Sequence, residues 1–214
     1  MRNIFNNIMN HRLIFFLIFF CGNVQAQAFL NAVIFLHDST QIACLARLPV
    51  MSEKYIKFKI DNNSKTQKIK SKDIKTVCYF LRGKKIVEIE YIRSESFFEM
   101  DNTRQNVFSP EWIEVVVRGP MMLYVIEETS RSGQRKSSIY HYFVKRENEE
   151  FATEIAYIRH KNGFLIYKME TGDYFANTPD IEKKIENGEE GYTAKDIINI
   201  VKEYNTLQET ISNP

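Results

Sequence analysis

Short runs in which apolar and polar residues alternate dominate the chain between residues 27 and 160, and a period of two is typical of β-strands. Successive side chains of a strand point to opposite faces of a sheet, so each run predicts one buried and one solvated face. Residues 27–160 are therefore predicted to form a β-rich body, with strands at 32–36, 41–48, 55–60, 76–81, 86–91, 113–118, 123–127, 139–145 and 153–159.

Turn-forming residues separate these runs at short intervals, which favours antiparallel strands over a parallel sheet. The body is accordingly expected to be an antiparallel β-meander or a barrel-like sheet. Within 86–91, Glu88 and Glu90 alternate with apolar residues, and we expect both carboxylates on the solvated face.

The period changes after residue 163, and residues 161–205 are predicted to form a helical segment that packs on the body. The fold class is therefore α+β. The predicted parts of the carboxyl-terminal segment are a short helix within 164–174, a helix beginning at Thr178, a last helix beginning at Thr193, and a frayed tail at 206–214.

The amino terminus has the pattern of a signal peptide, with two arginines, no acidic residue, and an apolar run at 13–20. Cleavage after Ala26 would remove residues 1–26 and leave 27 basic and 27 acidic residues. The protein is then exported, periplasmic or associated with the cell surface, and touches the membrane only through its signal peptide. A retained membrane anchor and acylation of Cys21 are the alternatives.

Two cysteines follow the predicted cleavage site, Cys44 and Cys78. An oxidising compartment would permit a disulfide between them. Both also lie in apolar, strand-like runs, where two buried free thiols are equally expected. Spacing alone does not decide between these interpretations, because a disulfide needs Cα atoms within about 7 Å.

Charge is distributed unevenly along the chain. Eleven basic residues face two acidic ones between residues 54 and 85, whereas eleven acidic residues face five basic ones between 147 and 190. The basic stretch is either a solvated outer face or a surface that attracts an anionic glycan or an envelope protein. Nucleic acid is not an expected partner, since few aromatic residues interleave with the basic ones. The lysines assigned to this anionic-ligand surface are Lys57, Lys59, Lys68, Lys70 and Lys72.

None of the short catalytic motifs H-E-x-x-H, C-x-x-C, G-x-S-x-G or a phosphate-binding glycine loop occurs after residue 26. We therefore predict a non-catalytic binding or envelope-assembly protein without a cofactor. Two alternatives remain open. One is a hydrolase built from Glu88, Glu90, His141 and Asp173. The other is a small-ligand carrier with an apolar barrel cavity lined by Phe97, Phe98, Trp112 and Tyr142.

Several segments together resemble a group of uncharacterised exported proteins of Bacteroidetes. They are VQAQAF at the end of the signal peptide, KYIKFKI, EYI, WIEVVVRGPMMLYV, IYHYFV, NTPDIEKKI and IINIVKEYN. The resemblance spans most of the chain after the signal peptide. It implies export and a β-rich body with a helical tail, and it implies no activity.

Overall fold

The structure is a computed structural model that describes residues 28–96, 106–107, 109–132, 135–161, 164–169 and 172–212. Within these ranges, thirteen strands form one sheet in which every pair of neighbours is antiparallel except β7 and β12. The strands are β1 (Phe29–Leu36), β2 (Gln41–Arg47), β3 (Tyr55–Lys59), β4 (Gln67–Lys70), β5 (Ile74–Leu81), β6 (Lys84–Ile92), β7 (Ser94–Ser96), β8 (Asn106–Val107), β9 (Glu111–Val117), β10 (Met121–Ser132), β11 (Arg135–Arg146), β12 (Ala152–Lys161) and β13 (Phe164–Met169).

Among the described residues, the helical elements come late in the chain, apart from one 3₁₀ turn at Ser71–Asp73. They are a 3₁₀ turn at Gly172–Phe175, the helix α1 (Pro179–Glu186), a 3₁₀ turn at Ala194–Asp196 and the helix α2 (Ile197–Ser212). The predicted α+β class is confirmed.

Strands β1 to β5 make an amino-terminal unit with the order β4-β3-β2-β1-β5. The 3₁₀ turn at Ser71–Asp73 links β4 at one side of this order directly to β5 at the other, so the strands curl around a shared core. The inward side chains of the period-two pattern fill that core, together with two residues of later strands. They are Ala32, Ile34, Cys44, Ala46, Ile56, Phe58, Ile74, Val77, Tyr79, Ile89 and Trp112.

The second half of the sheet closes on itself. Strand β6 continues past Arg93 into β7, and β7 pairs with β12, so the order β6-β9-β10-β11-β12-β7 forms a closed ring. Closure leaves few free edges. Buried side chains fill the inside of the ring. They include Ile113, Val115, Tyr124, Ile126, Phe143 and Ala152.

The carboxyl-terminal helices pack on the outer face of the closed ring and bury Ile181, Ile197, Val201 and Tyr204 against it. One polar contact fixes α2 in place. The side-chain amide of Asn205 accepts a hydrogen bond from the backbone N–H of Met121 at 2.8 Å and donates one to its carbonyl at 2.9 Å.

The prediction of a helix within 164–174 is wrong for residues 164–169, which form strand β13 and pair with β12. An Asn-Gly dipeptide precedes this segment, and such a dipeptide between two strands is a strong hairpin signal. The aromatic and branched side chains of the segment also favour a strand.

Residues 206–212 of the predicted frayed tail are helical, because α2 continues to Ser212. No glycine or proline interrupts residues 197–212, so nothing in the sequence ends the helix earlier. The predicted signal peptide lies outside the described residues. Within the described residues, no helix is long and apolar enough to cross a membrane.

Candidate functional site

Four of the five lysines assigned to the anionic-ligand surface lie on one face of strands β3 and β4. The antiparallel register places Lys57 directly opposite Lys68. Lys59 and Lys70 lie two residues along each strand and therefore share that face. Lys72 does not join them, because it lies on the 3₁₀ turn that follows β4.

Strands β2 and β1 extend this surface with two residues that the sequence analysis missed. Leu45 lies opposite Lys59, so Arg47, two residues further along β2, shares the lysine face. Arg47 in turn pairs with Phe29. The Phe29 ring centroid lies 4.9 Å from the Arg47 guanidinium carbon and 5.0 Å from the Lys59 Nζ, which is cation–π geometry.

We call Arg47, Lys57, Lys59, Lys68 and Lys70 the basic face. It is poorly neutralised by the protein itself. Lys57 makes one ion pair, with Glu53 at 3.4 Å. In the described part of the chain, no carboxylate lies within ion-pair distance of the other four cations. Like charges directly opposite each other destabilise a sheet, so the arrangement costs stability that an external anion would restore.

Cys44 and Cys78, for which the sequence leaves a disulfide and two free thiols open, are two buried free thiols in this fold. Strand β1 separates them: Ala32 lies opposite Cys44, and the next residue, Val33, lies opposite Cys78. Because adjacent residues of a strand point to opposite faces, the two thiols lie on opposite sides of the sheet and cannot bond. Burial raises the pKa of Cys44 to about 11, which is typical of an unreactive thiol.

The prediction of a solvated face for Glu88 and Glu90 is also wrong, since both side chains are buried. Glu88 accepts hydrogen bonds from the Lys85 Nζ and from the Arg118 Nε, each at 2.5 Å. Burial raises the pKa of Glu88, but the hydrogen bonds from Lys85 and Arg118 outweigh it, so the pKa lies below its ordinary value.

Glu90 belongs to the same network, because Arg118 also donates to its Oε1 at 2.7 Å. Thr76 donates to the same oxygen at 2.8 Å, and the buried Tyr124 hydroxyl donates to Oε2 at 2.8 Å. We call Glu88, Glu90 and Arg118 with these donors the carboxylate network. It connects β5, β6 and β10, and it has the features of a structural support, since its carboxylate oxygens already accept hydrogen bonds.

His141 lies in a different group of contacts. Its Nδ1 is 2.6 Å from Oε1 of the buried Glu154, and its Nε2 is 3.9 Å from Oε2 of the exposed Glu128. Burial lowers the pKa of His141, but the hydrogen bond with Glu154 outweighs it and the pKa is raised. The side chain of Asp173 lies outside the described residues. His141 and the glutamates of the predicted hydrolase therefore belong to separate networks.

The two described residues of the predicted carrier, Trp112 and Tyr142, pack in different cores and do not line one cavity. Trp112 packs in the core of the amino-terminal unit. Tyr142 packs against the helix-covered core on the outer face of the ring. Phe97 and Phe98 lie outside the described residues.

Among the residues that the structure describes, no group of three or more His, Cys, Asp and Glu side chains could hold a metal ion. Comparison with protein-family models, curated proteins and solved structures finds no match to this chain.

Proposed function

We propose that this chain is an exported, non-catalytic binding protein that holds an anionic partner at the cell envelope through its basic face. The observation that carries the proposal is the directly opposed pair Lys57 and Lys68, flanked by further cations that make no ion pair with a described carboxylate. A protein that gains nothing from external anions would be more stable with an acid or a neutral residue at one of these positions.

The interior of the ring supports a non-catalytic role. Three buried carboxylates already have partners: Arg118 donates to both Glu88 and Glu90, and Oε1 of Glu154 lies 2.6 Å from Nδ1 of His141. Catalytic carboxylates of a glycoside hydrolase face each other across a substrate, whereas Glu88 and Glu90 lie two residues apart on one strand.

Binding of chain 27–214 to an acidic polysaccharide tests the proposal. Polygalacturonate is a suitable anionic probe and uncharged dextran its control. We expect binding to polygalacturonate that weakens as salt is added, because exposed charges are screened within about 8 Å at physiological ionic strength. No binding to dextran is expected.

Two variants of equal charge locate the binding site. The face variant carries Lys57→Gln, Lys59→Gln and Lys68→Gln, and the matched variant carries Lys84→Gln, Lys183→Gln and Lys202→Gln on exposed positions elsewhere. The face variant should lose most of the binding and the matched variant little of it. Equal losses in the two variants would show that net charge, and not the basic face, determines binding.

A further inference from the structure

We propose that the anionic partner of the basic face is a membrane surface of anionic phospholipid headgroups. This inference rests on the proposed function and names the partner of the same site. The basic face and the amino-terminal end of the described chain coincide, and the sequence before that end carries the segment with the strongest affinity for a bilayer, the apolar run 13–20.

The position of Phe29 makes the geometric connection. Phe29 is the first residue of β1 and lies between the cations Arg47 and Lys59 of the basic face. The chain therefore enters the fold on this face and not on the side of the helices. Eight residues, 21–28, separate the apolar run from β1.

The length of that connection limits how far the basic face can lie from the bilayer. A fully extended chain covers about 3.3–3.6 Å per residue, so eight residues span less than about 30 Å. Before the predicted cleavage after Ala26, the apolar run in the membrane keeps the basic face within that distance of the headgroups, and such a tether raises the effective concentration of the surface at its site. After cleavage, binding depends on the side chains of the basic face itself.

The side-chain chemistry of the face also suits a headgroup layer. The register places Tyr55 opposite Lys70, so an aromatic ring shares the face with the lysines. Tyr55 is 44% exposed. Tyrosine is enriched at the membrane–water boundary, where its ring meets the acyl region and its hydroxyl stays hydrated. Lysines attract anionic lipids while their methylene stems lie along apolar surface.

Sedimentation of chain 27–214 with lipid vesicles tests this inference. Every core residue of the described structure lies between Ala32 and Tyr204, so this chain contains the whole fold. We expect it to bind vesicles that contain phosphatidylglycerol and to leave vesicles of pure phosphatidylcholine unbound. Removing three cations should weaken binding about 100-fold, since each contributes about fivefold near an anionic surface. The face variant should show this loss and the matched variant should not.

The outcomes separate the two proposals. Binding to polygalacturonate without any preference for phosphatidylglycerol vesicles would overturn the membrane inference and leave the proposed function intact. Failure to bind either probe would overturn both. Vesicle binding that the face and matched variants lose equally would overturn the membrane inference, because the basic face would then not be the docking surface. Circular dichroism melting curves of the variants show whether each one is folded.

The variant Tyr55→Ala should weaken vesicle binding without lowering the melting temperature.

Discussion

At the scale of single residues, one guanidinium, that of Arg118, compensates two buried carboxylates, Glu88 and Glu90. The substitution Arg118→Met would leave Glu88 and Glu90 buried with fewer partners. We expect the free energy of unfolding to fall by about 3 kcal/mol at neutral pH, as measured by urea titration. A loss below about 1 kcal/mol would contradict this description of the network.

The pH dependence of that variant gives a second expectation. The pKa of Glu88 is lowered in the folded protein, so its contribution to stability is present above its unfolded pKa and disappears as the pH falls through the folded pKa. The difference between the wild-type protein and Arg118→Met should therefore shrink below about pH 4. The triple variant Glu88→Gln, Glu90→Gln, Arg118→Met is the control, since it removes the charges together and should be more stable than Arg118→Met at pH 7.

The stability that His141 contributes should depend on pH in the opposite direction. Its pKa is raised in the folded protein, so the protonated imidazole stabilises the fold fully below its unfolded pKa of about 6.5 and the contribution is lost as the pH rises through the folded value. As the pH rises through that range, the free energy of unfolding of the wild-type protein should fall relative to that of His141→Gln. Parallel curves of unfolding free energy against pH for the two proteins would contradict a favourable interaction between His141 and Glu154.

At the scale of elements, the contact between α2 and the start of β10 depends on a glycine. A Cβ at Gly119 would lie 2.4 Å from the Nδ2 of Asn205, closer than any real contact. Asn205 also holds both backbone polar groups of Met121. We expect Asn205→Ala to cost about 2–4 kcal/mol, because two buried backbone groups lose their partner.

Gly119→Ala should destabilise the protein in the same direction, by displacing the side chain of Asn205. Thr206→Ala is the control on the same helix, since Thr206 is exposed and its hydroxyl donates to the carbonyl of Lys202 one turn earlier. Thermal melts followed by circular dichroism measure all three variants. A melting temperature of Asn205→Ala equal to that of Thr206→Ala would show that the hydrogen bonds between Asn205 and Met121 do not hold α2 on the sheet.

The elements also show how far the sequence specifies this fold. The period of two in 55–60 correctly predicts the buried Ile56 and Phe58, because one face of β3 is covered, but it fails for Ile60, which lies beyond the end of β3 and is exposed. The same period in 86–91 fails for Glu88 and Glu90, because β6 is shared: Ile89 packs in the amino-terminal unit while Glu90 points toward Tyr124 of the ring. A period identifies two faces of a strand, and only tertiary partners decide how many are buried.

At the scale of the whole molecule, ring closure is the feature that the sequence least reveals. It depends on β7, which contains the polar residues Ser94, Glu95 and Ser96 and carries no strand-like alternation. The separation of Cys44 from Cys78 has the same origin, since it follows from β1 lying between their strands. The spacing of Cys44 and Cys78 along the chain does not show which strand lies between them.

That topology leads to a prediction for the thiols. Chain 27–214 purified under oxidising conditions should have the same intact mass with and without reductant, and denaturing alkylation should modify both cysteines. A mass lower by two hydrogens before reduction would contradict the strand order of the amino-terminal unit, because a bond between Cys44 and Cys78 requires both on one side of the sheet.

The basic face is likewise a property of the whole molecule, because it combines residues of β2, β3 and β4 with Phe29 of β1. The sequence identifies the cluster of lysines by composition. It does not identify Arg47 or Phe29, which lie outside the basic stretch and join the face only through strand register. Lys72, although within the stretch, is placed on a turn and left out.

The central claim is tested most directly by nuclear magnetic resonance. The amide chemical shifts are followed while an anionic probe is added. With polygalacturonate or phosphatidylglycerol in small bicelles, we expect the largest shifts at Arg47, Lys57, Lys59, Lys68 and Lys70, with the amides of α1 and α2 unchanged. The face variant should lose these shifts. Largest shifts at the carboxylate network, around His141 or on the helices would contradict the claim that this protein acts through its basic face.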